Sequence, residues 1–300
     1  MVKFFERLGH KVIRTQSSWW YDVQPGVLLT LPYYKQITPS ENEINELLKK
    51  ENLRALRYPT TLENFGFLSD ITINTHKDYD LPHLHQKARN QTKRGLENCQ
   101  VRPMDFEELA KDGLALNIDT AARQERKSQF CSQEYWERYC RAAGQTDGMH
   151  AWGAYYQGQL ASFLIAVEAE NNWVEWIVNH SSTHLRDKYA NNALAFSAGQ
   201  FFLNEKKFDG ICYGLGSLED TTYLDHFKTR MGWELKPIKQ RLVFSKKLKL
   251  VVSMAPKFML KTAKTLFPKS YTVRKSSAMI RLYNKQTYDV PQHQGAIVND

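Results

Sequence analysis

From Leu235 to Tyr288 the chain contains no aspartate or glutamate, yet the same stretch holds 14 lysines and arginines. The whole chain carries a formal net charge of +9, so the remainder is mildly acidic. Basicity gathered at one end, rather than spread over a working face, argues against an enzyme that acts on nucleic acid. No run of about 18 apolar residues occurs, which excludes an ordinary membrane-spanning helix. The only cysteines are Cys99, Cys131, Cys140 and Cys212, and no two share CxxC spacing. They read as free thiols of a reducing compartment, so the cytoplasm is the expected location. Met1–Arg14 mixes Lys3, Glu6, Arg7 and Lys11 among its apolar residues and lacks the apolar core of a secretory signal. His76, His83 and His85 are close in sequence, but the last two differ by two positions, the wrong helical spacing for one ion. No metal site is expected. Internal repeats and low-complexity segments are absent.

What is present is aromatic mass, with 15 Tyr, 15 Phe and 7 Trp in 300 residues, enough to bury a proper core. The expected organisation is an N-terminal α/β piece over residues 1–80, a main unit over 81–245 and a basic extension over 246–300. In the first piece, strands are expected over Gly26–Leu31, Leu53–Tyr58 and Ser69–Thr75. The S-x-x-E capping box at Ser40 opens a helix over Glu41–Glu51. Asp80–Asn98 reads as one helix with Pro82 in its first turn. Its Lys87, Arg89, Lys93 and Arg94 recur every three to four positions, which suits either a solvated face or an anion-facing one. Met104–Asn117 and Gln133–Ala143 read as further helices. The polar stretch Asp119–Gln129, with Arg123, Glu125, Arg126 and Lys127, reads as a loop over a site.

Met149–Phe244 is the most regular part. Apolar runs Met149–Tyr155, Gln159–Val167 and Trp173–His180 predict three strands. A polar basic link, His184–Tyr189, leads into a helix over Asn191–Glu205. A strand over Gly210–Tyr213, a helix over Thr221–Met231 and a strand over Gln240–Phe244 complete the alternation. Asn191 or Asn192 suits the N-cap of the helix after the basic link. A helix N-terminus offers free N–H groups and partial positive charge to a phosphate, and Arg186 and Lys188 stand just upstream. The alternative is an ordinary exposed loop.

Three phrases in order carry a resemblance: Leu84–Leu96 (LHQKARNQTKRGL), Arg186–Leu194 (RDKYANNAL) and Leu224–Trp233 (LDHFKTRMGW). With the alternation of strands and helices, they resemble the FemAB-like (BioF2-like) branch of the GNAT acyltransferases, over roughly Leu56 to Phe244. The resemblance implies an α/β (α+β) fold, with a GNAT-like mixed sheet flanked by helices and two GNAT-like lobes, the first abbreviated. It implies acyl transfer from a carrier, acyl-CoA or a related thioester, to an amine of a sugar or cell-envelope precursor. The phosphate loop departs from the GNAT pattern, because Tyr189 and Asn191 stand where glycines are usual. Asn179, Arg186, Lys188, Tyr189, Asn191 and Asn192 are the residues expected to hold the donor.

Counting back from Gly232, Lys228 occupies the place where GNAT enzymes often carry the tyrosine that protonates the leaving thiolate. A lysine there stabilises developing negative charge, unless it is merely an exposed helix lysine. Tyr223, a turn away, is the expected proton donor. Candidates for the base are Glu175, His180 and His226, of which a histidine near neutral pKa suits the task. Arg89, Lys93, Trp19 and Trp20 are the expected substrate contacts. The basic extension, with Pro256 and Pro268 bracketing a short amphipathic helix, suits an anionic membrane surface through residues 246–285, or else packs on the body. The location expected is therefore cytoplasmic and peripheral at the inner membrane face. Transfer from aminoacyl-tRNA is the enzymatic rival; the chain lacks a long paired helical arm, which places tRNA second. A GNAT-shaped binding module without chemistry is the remaining alternative.

Overall fold

A computed structural model describes residues 1–125, 127–218, 222–254 and 271–289. The chain opens with helix α1 (Val2–Arg7) and strands β1 (Val12–Arg14), β2 (Trp19–Gln24) and β3 (Val27–Leu31). Helix α2 (Glu41–Lys50) starts where the capping box places it: Ser40 accepts the Glu43 N–H at 3.1 Å. Strands β4 (Ala55–Thr60) and β5 (Phe67–Asn74) follow. The helix expected from Asp80 is broken in two. A short turn at Leu81–His83 precedes α3 (Gln86–Asn98), and Leu84 between them is extended. Burial of the Leu84 side chain and the His85 N–H bond to the Arg230 carbonyl at 2.9 Å fix that break.

The reading of Met104–Asn117 as one helix also needs correction. Gln100–Met104 is strand β6, and α4 (Phe106–Asp112) and α5 (Leu114–Arg123) meet at Gly113. A Cβ at Gly113 would lie 2.7 Å from the Leu109 carbonyl and 3.0 Å from Trp136, so only glycine lets α6 (Gln133–Gly144) pack this closely. Because α5 runs to Arg123, the first half of the expected loop Asp119–Gln129 is helix.

The alternation predicted over Met149–Phe244 is present. Strands β7 (Met149–Tyr156), β8 (Gln159–Ala169) and β9 (Trp173–Ser181) lead through the basic link to α7 (Ala190–Gln200), which continues as a π-helical turn to Glu205. Then come β10 (Gly210–Leu215), α8 (Thr222–Arg230) and β11 (Glu234–Phe244). All eleven strands form one sheet in the order β1-β2-β3-β4-β11-β5-β10-β9-β8-β7-β6. Only the β3/β4 and β9/β10 pairs are parallel. Strand β5, from the first eighty residues, lies between β11 and β10.

Strand β8 is apolar almost throughout because it is buried on both sides. Leu164 and Ala166 face a core made with α3 and α7, here the first face. Phe163 and Ile165 alternate to the second face, packed by α1, α4, α5 and α6. The C-terminal segment packs on the body in part. Helix α9 (Lys246–Met254) follows β11, and α10 (Tyr271–Tyr283) sets Ala278 against Phe67, Leu218 and Leu242. The amphipathic helix expected between Pro256 and Pro268 lies outside the described residues.

Candidate active site

Strands β9 and β10 pair at three rungs only, ending at Cys212 opposite Glu175. Beyond that rung β9 runs on to Ser181 and β10 to Leu215, and their facing edges no longer pair with each other. Both strands are irregular where they part. The β8/β9 register skips Ile177, and the β10/β5 register shifts between Cys212 and Leu215, where Gly214 has φ +99°. Bulges of this kind bend a strand and end its pairing. The unpaired edges leave backbone donors and acceptors for a ligand to use.

On the first face this split is walled by aromatic rings. Tyr213 packs against Trp176 and Trp233 at centroid distances of 5.4 Å each. Lys228, from α8, places its Nζ 4.9 Å from the Tyr213 ring centre and donates to Thr72 Oγ1 of β5 at 3.2 Å. Burial pushes the Tyr213 hydroxyl pKa up to about 12, opposed by neighbouring Asn179 of β9, so it stays protonated at neutral pH. Two donors in this cluster, Trp176 Nε1 and Asn179 Nδ2, are buried without an acceptor among the described residues. Buried donors of this kind are rarely left unpaired, and both residues neighbour Tyr213, over whose ring Lys228 lies. Tyr213, Trp176 and Thr72 were not singled out from the sequence. The signal for Tyr213 was a tyrosine at a strand end followed by Gly214. Tyr223 lies on α8, and its side chain is outside the described residues.

Glu175 and His180 belong to the second face. Glu175 is fully buried, and its Oε1 accepts the Tyr34 N–H at 3.1 Å while Oε2 has no partner. Desolvation raises its pKa to about 8, opposed by the backbone N–H groups of Tyr34 and Tyr33. His180 Nδ1 lies 2.6 Å from Asn117 Oδ1 of α5. With that oxygen as acceptor Nδ1 donates, which leaves Nε2 as the basic nitrogen. Lys228 and the two base candidates are thus on opposite faces, at the split that separates β9 from β10. His226 is exposed on α8.

The Glu175 shift has a measurable consequence. A carboxyl raised in the folded state gives stability that is complete below its ordinary value of 4.5 and is lost as pH rises through about 8. Glu175→Gln removes the titration. Wild type is expected to lose roughly 3–5 kcal/mol more than Glu175→Gln between pH 4.5 and 8.5 in denaturant melts. Parallel pH profiles would show that Glu175 ionises freely.

Around the basic link, the expected donor residues are only partly gathered. Tyr189, at φ +56°, caps α7 without a side-chain bond, and the helix proper begins at Ala190. Asn191 and Asn192 therefore sit in the first turn rather than at the cap. Asn191 Oδ1 accepts from Ser162 Oγ at 3.3 Å, and Asn192 Nδ2 reaches Met231 Sδ. Arg186 is exposed, while Lys188 pairs with Asp187 at 2.7 Å and lies over the Tyr156 ring. Helix α3 runs alongside, and a Cβ at Gly95 would meet the Tyr189 carbonyl at 2.5 Å. A hollow of about 380 Å³ between them is lined by His85, Lys87, Asn90, Gln91, Arg94 and Tyr189. The cationic stripe of α3 thus contributes Lys87 and Arg94, not the expected pair. Arg89 turns inward and donates to the Leu81, Pro82 and Leu84 carbonyls, and Lys93 is exposed.

The tryptophan pair also divides. Trp20 is wholly enclosed and commits its indole N–H to Thr15 at 2.8 Å, which leaves it no surface for a substrate. Trp19 lines a cavity of about 350 Å³ with Met1, Asp147, Glu168 and Glu170, near the opposite ends of β7 and β9 from the split. No cluster of three or more potential metal ligands occurs among the described residues. No described helix is long and apolar enough to cross a membrane.

No protein-family model matches the chain, and no curated protein sequence does so. Solved structures do. FemX superposes with a TM-score of 0.57 at 10% identity, over 84% of this chain and 92% of that chain. The chain shares its fold with FemX. L-PGS from Bacillus licheniformis gives 0.55 at 13% identity, over 84% and 90%. The C-terminal domain of a putative lysylphosphatidylglycerol synthetase from Agrobacterium fabrum gives 0.54 at 10% identity, over 87% and 91%. The FemX-fold chain therefore has the mixed sheet flanked by helices that its sequence implied.

Proposed function

We propose that this FemX-fold protein is an N-acyltransferase, with its reaction centre at the split between β9 and β10. The reading is carried by two buried donors without an acceptor among the described residues, Trp176 Nε1 and Asn179 Nδ2, in the cluster around Tyr213, over whose ring Lys228 lies. An amine attacking an acyl carbonyl creates an oxyanion, and preorganised donors with a cation are what lower that barrier. Lys228 supplies the positive charge. Tyr213, protonated at working pH, donates a proton or hydrogen bond to the leaving group. His180 or Glu175, from the other face, takes the proton from the incoming amine. The attack is direct, in a ternary complex, with no covalent intermediate on the chain.

The donor we favour is acyl-CoA or a related thioester. Its amide-bearing arm would hydrogen-bond the unpaired strand edges, and its phosphates would meet the start of α7, Arg186, and the hollow lined by Lys87 and Arg94. The acceptor is an amine of a cell-envelope or polysaccharide precursor. In support of an envelope acceptor, one of the structures sharing the fold is named as a putative lysylphosphatidylglycerol synthetase. Thermal-shift titrations with acyl-CoA and with charged tRNA test the donor. A shift with acyl-CoA supports the reading, and a shift with charged tRNA alone replaces the thioester with an aminoacyl donor. Tyr213→Phe is expected to lower kcat about 10²-fold, and an unchanged kcat would remove the hydroxyl from the reaction.

An anionic membrane surface is the proposed location of that acceptor. On α9, Leu250 and Val251 are 60% and 62% exposed beside exposed Lys246, Lys247 and Lys249. Aliphatic side chains among lysines fit an acidic bilayer better than RNA, which is met by charge and aromatic stacking. Leu250→Glu combined with Val251→Glu is expected to reduce sedimentation with phosphatidylglycerol vesicles by about tenfold or more. Undiminished sedimentation would place the contact elsewhere.

A further inference from the structure

Arg57, on β4, is mostly buried, yet it forms no ion pair with a described carboxylate. Its Nε donates to Gln240 Oε1 at 2.6 Å and its Nη2 to the Gly216 carbonyl at 3.1 Å. Gln240, wholly enclosed, is itself held by Ser69 Oγ at 2.6 Å and the same Gly216 carbonyl at 3.1 Å. The titratable groups that act on the guanidinium are the hydroxyls of Tyr21 and Tyr33, which hydrogen-bond each other at 2.8 Å and are kept neutral by burial. Burial without a counter-charge lowers the Arg57 pKa to about 10. An arginine taken out of water is normally paired with an anion.

The geometry leaves a specific part of the fork available. With Nε and one Nη2 hydrogen committed, the Nη1 hydrogens and the second Nη2 hydrogen have no protein acceptor among the described residues. That end-on edge matches two oxygens of one carboxylate or phosphate. The Gln240 and Gly216 contacts fix the fork's orientation, so little freedom remains to be lost on binding.

Its place is informative. Gly216 directly follows β10, at the end where β9 and β10 part. Ser69 alternates with Phe67 and Ile71, whereas Thr72, the partner of Lys228, points to the other face. Arg57 therefore lies on the second face, the one that carries Glu175 and His180. We propose that Arg57 binds an oxyanion of the acceptor, so that the acceptor is an amine that also carries a carboxylate or phosphate. This assignment of ligand to acceptor rests on the transferase reading; the anion site itself does not.

The test measures binding without catalysis. The full chain is melted in sodium phosphate, sodium acetate and sodium chloride at equal ionic strength. For wild type, phosphate or acetate is expected to raise Tm by about 3 °C over chloride at roughly ten times its dissociation constant. Which of the two is effective tells phosphate from carboxylate. Arg57→Gln is expected to abolish the rise and Arg57→Lys to keep part of it. Gln240→Glu covers the case in which Arg57→Gln does not fold: its internal carboxylate would satisfy the guanidinium, and the anion effect would vanish in a folded protein. A rise retained in Gln240→Glu, or no difference among the three salts for wild type, overturns the proposal. If the anion effect is present and sensitive to Arg57 while no transfer reaction is found, the site stands and the transferase reading falls.

Discussion

Lys228→Ala is expected to lower the acyl-transfer rate by about 10²–10³-fold, the usual loss when one stabiliser of a developing oxyanion is removed. The effect should fall on kcat rather than KM, because the ammonium is most needed once negative charge has formed. Folding should change little. Its ammonium donates to Thr72 and lies over one aromatic face, contacts each worth about 1 kcal/mol or less when partly exposed. Lys228→Arg should recover part of the rate, since it restores charge with a different reach. The measurement is transfer under single-turnover conditions with whichever donor binds, alongside circular dichroism. Full activity in a folded Lys228→Ala protein would remove Lys228 from the chemistry.

The largest expected stability loss comes from a different lysine. Lys239, on β11, is wholly enclosed, and its ammonium donates to the carbonyls of Asn64, Thr287 and Tyr288 at 2.9–3.1 Å. It thereby ties the segment after α10 to the loop before β5, beside the bridge between Gly66 and Thr287. Lys239→Met keeps the aliphatic stem but leaves three carbonyls without their donor. A loss of roughly 2–4 kcal/mol follows, seen as a fall in Tm of about 3–6 °C for a chain of this size. Amide exchange should rise at residues 284–289 more than in β8. An unchanged melting curve would mean that water replaces the ammonium without cost.

These two lysines show what could be seen in advance. Lys228 stood out because it precedes Gly232 and Trp233 in a phrase of recognisable spacing. Lys239 gave no signal at all, because nothing local distinguishes a lysine on a strand from one that three distant carbonyls will enclose. The arginines of α3 follow the same logic. Their periodicity announced a cationic stripe, but whether Arg89 or Arg94 met the hollow depended on the carbonyls of Leu81, Pro82 and Leu84, which captured Arg89. Helix breaks were missed at Leu84 and Gly113, where burial and close packing overrode a continuous apolar pattern.

By itself the sequence determined the alternation from Met149 to Phe244, the α2 cap, the basic C-terminal stretch and the resemblance to the FemAB-like branch. Each is written in local periodicity, in capping chemistry or in charge, which act between near neighbours. Only the tertiary structure decided that β5 enters the sheet between β11 and β10, that β9 and β10 part after three rungs, and which face each side chain takes. Strand pairing and burial join residues far apart in the chain, and a one-residue bulge such as Ile177 reverses every later side chain. That reversal puts Asn179 beside Tyr213, and His180 on the face with Arg57.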